Sequence, residues 1–150
     1  MKIEIKLPMV YHANNSKDNV FPHQILAVGE HSGMKFYVCS INGTHPTAYL
    51  RIPKDMPLHG IDYDEADILI DVHCGFTYSS NGLYGVENDD ESWFLRWDYG
   101  HAGDYAGYHV GDSRFDKYHK WTTEEIVSEC ASACEELAKY WEPLNIKETK

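Results

Sequence analysis

Two short polar motifs hold most of the residues that could do chemistry: Asp71-Val72-His73 and Asp98-x-x-His101-x-x-Asp104. Imidazole and carboxylate groups together suit three kinds of work. The first is metal binding, because that donor mix serves Zn, Mn or Fe. No established signature such as H-E-x-x-H is present, and His/Asp clusters also satisfy one another by hydrogen bonding. The residues therefore leave metal and cofactor unassigned. The second is acid–base catalysis, in which a carboxylate holds a histidine in one tautomer as a general base. His101 beside Asp71, Asp98 or Asp104 offers that pairing, so His101, His73 and Asp98 are the catalytic candidates. Nucleophiles are scarcer, Cys74 and Thr77 being the two at hand. On a strand Cys74 would point away from His73, and free cysteine is among the most buried residue types, so Cys74 reads as a core thiol.

The third kind of work is ligand binding. Arg96, with Arg51 and Lys54 and the rings of Tyr78, Tyr99, Tyr105 and Tyr108, could clasp an anionic planar ligand such as a nucleotide. Arginine gives bidentate phosphate contacts and tyrosine a stacking face. Asp71, Thr77, Tyr78, Arg96, Asp104 and Lys54 are the ligand-binding candidates. The plain structural alternative pairs Arg96 with Asp98 or Glu91. Gly100, Gly103, Gly107 and Gly111 lack the strand–loop–helix frame that a phosphate-binding loop needs.

The elements that must position these groups read mostly as strands. Lys2 to Leu7 alternates in the β sense and stops at Pro8; Asn14 to Asn19 is a polar loop. Gln24 to Glu30 and Lys35 to Ile41 flank a His31-Ser32-Gly33 turn, and Asn42-Gly43 is a strong turn signal before the strand Thr47 to Ile52. Pro53 to Gly60 breaks regular structure. Ile68 to His73 and Trp93 to Asp98 then alternate, so one sheet face could carry Asp71, His73, Arg96 and Asp98. Tyr99 to His119 is a long loop rich in Gly, Tyr, His and Asp, of the kind often tied to function. Thr122 opens a helix over Thr123 to Trp141 with Glu125 completing a capping box. Val127, Cys130, Cys134, Leu137 and Trp141 form its apolar stripe, which favours core packing for both cysteines. Glu124 and Glu125 suit its start, Lys139 its end, and Pro143 stops it.

Composition narrows the function classes. The formal charge of -11 argues against direct nucleic-acid binding through phosphates, while leaving open an acidic decoy that fills a partner's groove. The acid falls in two bursts, Asp62 to Asp67 and Glu87 to Glu91, that read as solvated loops. An aromatic share of 13 % with 11 Tyr fits either a ligand site or a β-rich core. No run approaches the ~18 apolar residues of a membrane span, and the N-terminus has no apolar signal-peptide region. Cys39, Cys74, Cys130 and Cys134 show no C-x-x-C pairing and read as reduced cytoplasmic thiols. With no repeats and no linker, residues 1–150 read as a single domain.

From Ala48 to Leu137 the chain resembles a family of small, uncharacterised proteins of tailed bacteriophages and prophages. The resemblance rests on Pro53-Lys54, on Pro57-Leu58-His59-Gly60, and on Asp71-Val72-His73-Cys74-Gly75-Phe76-Thr77-Tyr78-Ser79. It continues through Trp93 to Asp98, His101-Ala102-Gly103-Asp104, and His119-Lys120-Trp121-Thr122 before the helix. Cys74 stands where the family usually has glycine, and Tyr99 where it often has cysteine. The resemblance implies a phage accessory protein acting in the host bacterial cytoplasm.

The expected fold is α+β: a single antiparallel β-sheet packed by one C-terminal helix, with long irregular loops and the polar motifs meeting at a sheet edge or end. The expected function is binding of a small polar, nucleotide-type ligand in a His/Asp/Arg pocket by an anti-defence protein. One alternative is a His/Asp hydrolase, metal-dependent or not, acting on a similar substrate. Another is an acidic inhibitor whose partner is a host defence protein. Neither membrane nor direct nucleic-acid contact is expected, and an oligomer stays open.

Overall fold

The computed structural model describes residues 1–11, 23–41 and 43–141. The loop expected over Asn14 to Asn19, Asn42 of the Asn-Gly turn, and Pro143 lie outside the described residues. Six strands, β1 (Lys2–Ile5), β2 (His23–His31), β3 (Met34–Ile41), β4 (His45–Ile52), β5 (Tyr78–Ser80) and β6 (Trp93–Asp98), form one antiparallel sheet in the order β1-β2-β3-β4-β6-β5. The expected α+β class holds. β2 and β3 join through Ser32 and Gly33, both at positive φ, as a two-residue hairpin turn requires. Gly29 faces Phe36 across this pair, and a Cβ there would lie 2.2 Å from the Phe36 ring.

The strand alternation sorts side chains between two faces. Phe36, Val38, Ala48, Leu50, Leu95 and Trp97 meet Ile126, Cys130, Cys134 and Leu137 of the long helix in one apolar cluster. Tyr37, Cys39, Tyr49, Leu83 and Phe94 form a second cluster on the reverse face. The two α-helices among the described residues are α1 (Tyr63–Leu69) and α2 (Thr123–Lys139), and α2 packs on β2, β3 and β4. Its start is the expected capping box: Thr122 accepts from the Glu125 N–H, and Glu125 accepts from the Thr122 N–H. α2 ends at Lys139, two residues short of Trp141, which still packs against the core. No helix among the described residues is long and apolar enough to cross a membrane.

One expected strand does not form. Ile68 to His73 was the alternating run; instead Tyr63–Leu69 is α1, and 70–77 is a turn leading into β5. The physical reason is periodicity. Ala66 and Ile70, four apart on one helical face, are buried, whereas Ile68 is 85 % exposed. Asp64 and Glu65 lie in the first turn of α1, where the helix dipole favours acids. The burst Asp62 to Asp67 is therefore mostly helix rather than loop. Asp71 and His73 share no strand face, because there is no strand beneath them.

Candidate functional site

Two turns build the site, and each is fixed by its backbone. In the first, the Gly75 N–H bonds the Val72 carbonyl at 3.0 Å, with Cys74 at φ 56 and Gly75 at φ 82. Asp67 of α1 clamps this turn by accepting from the Phe76 N–H at 3.0 Å, and a Cβ on Gly75 would lie 2.7 Å from Asp67 Oδ1. The Thr77 N–H then docks on the Arg96 carbonyl of β6 at 2.8 Å. The second turn follows the end of β6. The Tyr99 N–H bonds Pro46 O, the Gly100 N–H bonds Asp98 Oδ1, and the Asp104 N–H bonds His101 O.

Asp104 is the hub where the turns meet. It is 3 % exposed. Its Oδ1 accepts from the Trp121 indole N–H at 2.8 Å, and its Oδ2 from the His101 backbone N–H at 3.0 Å. His73 Nε2 donates to the same carboxylate, at 2.9 Å from Oδ2 and 3.1 Å from Oδ1. The His73 ring lies flat on Tyr99, centroids 4.8 Å apart, with its edge toward Trp121. These contacts hold its orientation without filling its outer side.

His101 completes the group, its ring centroid 6.1 Å from that of His73. His101 Nδ1 is 3.2 Å from Asp98 Oδ1 and 4.0 Å from Asp104 Oδ2. The nearer contact lacks hydrogen-bond alignment, so Nδ1 is a buried nitrogen without a hydrogen-bond partner among the described residues. Thr77 Oγ1 donates to Asp98 Oδ2 at 3.3 Å. Behind the cluster, Glu129 of α2 accepts from the Trp97 indole at 2.9 Å and from the Tyr99 hydroxyl. Burial, then the Glu129 charge, pushes the Tyr99 phenol far above its usual range.

Cys74 is where the structure departs most from the sequence reading. It is exposed, not a core thiol, and its Sγ lies 3.7 Å from His73 Nε2. The expectation that neighbours point apart assumed a strand; the left-handed backbone at Cys74 swings both side chains to one side instead. Local desolvation, followed by the charges of Asp104, Asp98 and Glu129, raises the thiol pKa. One ligand atom from each of His73, Cys74 and His101 falls within 4.8 Å of the others.

The structure thus brings together His73, Thr77, Asp98, His101 and Asp104. Arg96 shares a strand face with Asp98 but lies over the Tyr78 ring at 4.7 Å, and makes no salt bridge to Asp98 or Glu91. The Arg96 side chain sits on the reverse face, where Tyr49 is its cross-strand neighbour, and its backbone carbonyl alone reaches the cluster, through Thr77; Tyr78 is half-exposed. Asp71 is exposed, and its backbone N–H bonds Glu136 of α2. Lys54 pairs with Glu91, and Arg51 with Asp90, so both tie down the loop before β6. Tyr105 carries Lys120 on its ring, and exposed Tyr108 packs on His109. An open groove of about 340 Å³ along β1, β2 and β3 shares no residue with the site.

Sequence reasoning passed over Trp121 and Glu129 and set Cys74 aside. For Cys74 a signal existed: it directly precedes Gly75, and glycine marks turns in which left-handed backbone is common. Glu129 carried no signal, because only the tertiary fold sets it under Trp97. Compared with models of known protein families, with curated proteins and with solved structures, the chain matches none.

Proposed function

We propose that the protein binds a small polar ligand at the cluster of His73, Asp98, His101 and Asp104, with Thr77 beside it. The observation that carries this reading is the bond between His73 and Asp104, which joins two motifs 31 residues apart around a buried carboxylate. His73 and His101 keep 22 % and 32 % of their side-chain surface open above it. Half-exposed polar groups held by a buried network are ready to exchange water for a ligand. Tyr78, next to Thr77 and with Arg96 stacked on its ring, would favour an anion with a planar part, for which a nucleotide-type signal is the natural class. The phage resemblance supports an accessory role against host defence in the bacterial cytoplasm.

A hydrolase is the second reading, favoured by the approach of Asp98 to His101 Nδ1 at 3.2 Å, which a bound substrate would have to tighten into a hydrogen bond for His101 to serve as a base that activates water. Cys74 is not placed for a thiol–imidazole dyad. His73 presents to it the same nitrogen that already donates to Asp104. Mass spectrometry of small molecules carried by the purified protein tests the proposal. A ligand released chemically unchanged, and lost in His101→Ala, supports binding; a turned-over ligand supports the hydrolase. Full function in His101→Ala, with loss on reversing the charges of 62–67 or 87–91, would instead favour the acidic inhibitor.

A further inference from the structure

We propose that His73, Cys74 and His101 bind a transition-metal ion, with Zn(II) the best match. This goes beyond the ligand reading and does not rest on it. The donor set is the first argument. Two imidazoles with a thiolate suit a borderline-soft cation and do not suit Mg or Ca, which take oxygen ligands. Spacing is the second. Sulfur and nitrogen ligands bound tetrahedrally to zinc sit about 3.6 Å apart, given bond lengths of about 2.3 and 2.05 Å. The observed Sγ–Nε2 distance is 3.7 Å, and all three ligand atoms lie within 4.8 Å of one another.

Charge and hydrogen bonding add two independent arguments. Asp98, Asp104 and Glu129 surround the cluster, and none of them pairs with a lysine or arginine among the described residues. A divalent cation would balance that charge. His101 Nδ1 is buried without a hydrogen-bond partner, which a native site rarely leaves so without a purpose. Asp104 Oδ2, 2.9 Å from His73 Nε2, is near enough to join as a fourth ligand once that nitrogen has released its proton. On binding, the Cys74 S–H bond breaks and its proton goes to solvent. His73 gives up its Nε2 proton to solvent and takes one at Nδ1, ending its donation to Asp104. The sulfur and Nε2 lone pairs then form the bonds to the metal.

Cobalt(II) titration of the metal-stripped full chain provides the test. One equivalent should give the visible absorption of tetrahedral cobalt and a near-ultraviolet thiolate-to-cobalt charge-transfer band, both lost when Zn(II) is added. Cys74→Ser should abolish the charge-transfer band, and His73→Ala and His101→Ala should weaken Zn(II) binding at least tenfold, the lower end of what losing an outer-shell partner costs. Cys74 is exposed and the other three cysteines are buried, so alkylation of the native protein should mark Cys74, and Zn(II) should protect it. Circular dichroism separates lost binding from lost fold. A charge-transfer band that survives Cys74→Ser, or no saturable binding at one equivalent, would overturn the proposal.

Discussion

His73 Nε2 donates to Asp104 Oδ2 at 2.9 Å, across a gap of 31 residues, and that carboxylate is also held by the Trp121 indole and the His101 backbone. A buried acceptor shared by three donors is costly to remove, because each donor left behind loses its partner. Asp104→Ala should lower stability by about 3 kcal/mol in urea denaturation, while Asp104→Asn, which keeps the shape, should lose less. A change below about half a kcal/mol for Asp104→Ala would mean that the network does not hold the two turns together.

The turn that presents His73 sets a second expectation. Gly75 has φ 82 and no room for a Cβ beside Asp67, so Gly75→Ala should destabilise by about 2 kcal/mol or more. Cys74 has φ 56, where a side chain is strained and glycine is not. Cys74→Gly should therefore leave stability unchanged or raise it by up to about 1 kcal/mol, since relief of strain offsets the added freedom of the unfolded chain. A lowered denaturation midpoint for Gly75→Ala and a level or raised one for Cys74→Gly are the expected result.

How far the fold was legible in the sequence follows from the length and purity of each pattern. Trp93 to Asp98 alternates cleanly and is β6; Thr122 with Glu125 marks the start of α2 to the residue. Ile68-Leu69-Ile70-Asp71-Val72 is a short apolar run that fits either period, and burial of Ala66 beside Ile70 decides for a helix. That single misassignment placed Asp71 in the expected site and hid Cys74, which belongs there. The convergence of His73 with His101 and Asp104 did not need the strand, because the glycine-containing turns carry it. Arg96 illustrates the limit of face arguments: it shares a face with Asp98, yet its guanidinium lies on the Tyr78 ring and its cross-strand neighbour is Tyr49 of the reverse-face cluster.

Leu137 measures how firmly α2 is docked. It is fully buried in the main cluster with Cys134 and Trp97. Leu137→Ala should cost about 2–5 kcal/mol, as a buried leucine truncation does where the site cannot collapse. Thermal and chemical denaturation should agree on the size of the loss.

The buried thiols predict an alkaline limit to stability. Burial raises Cys39 and Cys134 from an ordinary 9.0 to about 12, and Cys130 well above its ordinary value. Below the unfolded value both states keep the proton, and the stabilising contribution is fully present. As pH rises past it, the unfolded chain releases protons that the folded chain retains, so stability falls until the folded thiols ionise in turn. The slope should reach about 1.4 kcal/mol per pH unit for each thiol. Cys39→Ala should make that decline shallower by one thiol's share, whatever its effect at neutral pH, in a series of urea midpoints against pH.

His101→Ala is the decisive substitution for the site. Its ring is part-exposed, and its Nδ1 has no hydrogen-bond partner to lose among the described residues, so the fold should survive its removal. Melting temperature should stay level or rise, since functional sites hold polar groups at a cost to stability. Ligand binding should be abolished. His73→Ala should also abolish binding, but with a stability loss, because Asp104 then keeps its charge without its imidazole partner. The control histidine matters. His12 lies outside the described residues, and His23 has both ring nitrogens buried beside Tyr49 and Tyr84, so neither is a clean comparison. His59, part-exposed and bonded to the Glu91 carbonyl, shares none of the site's contacts and serves better. Calorimetric titration with the co-purified ligand should give wild-type affinity in His59→Ala and none in His101→Ala. Equal affinity in the two variants would remove His101, and with it the converging motifs, from any account of what this protein binds.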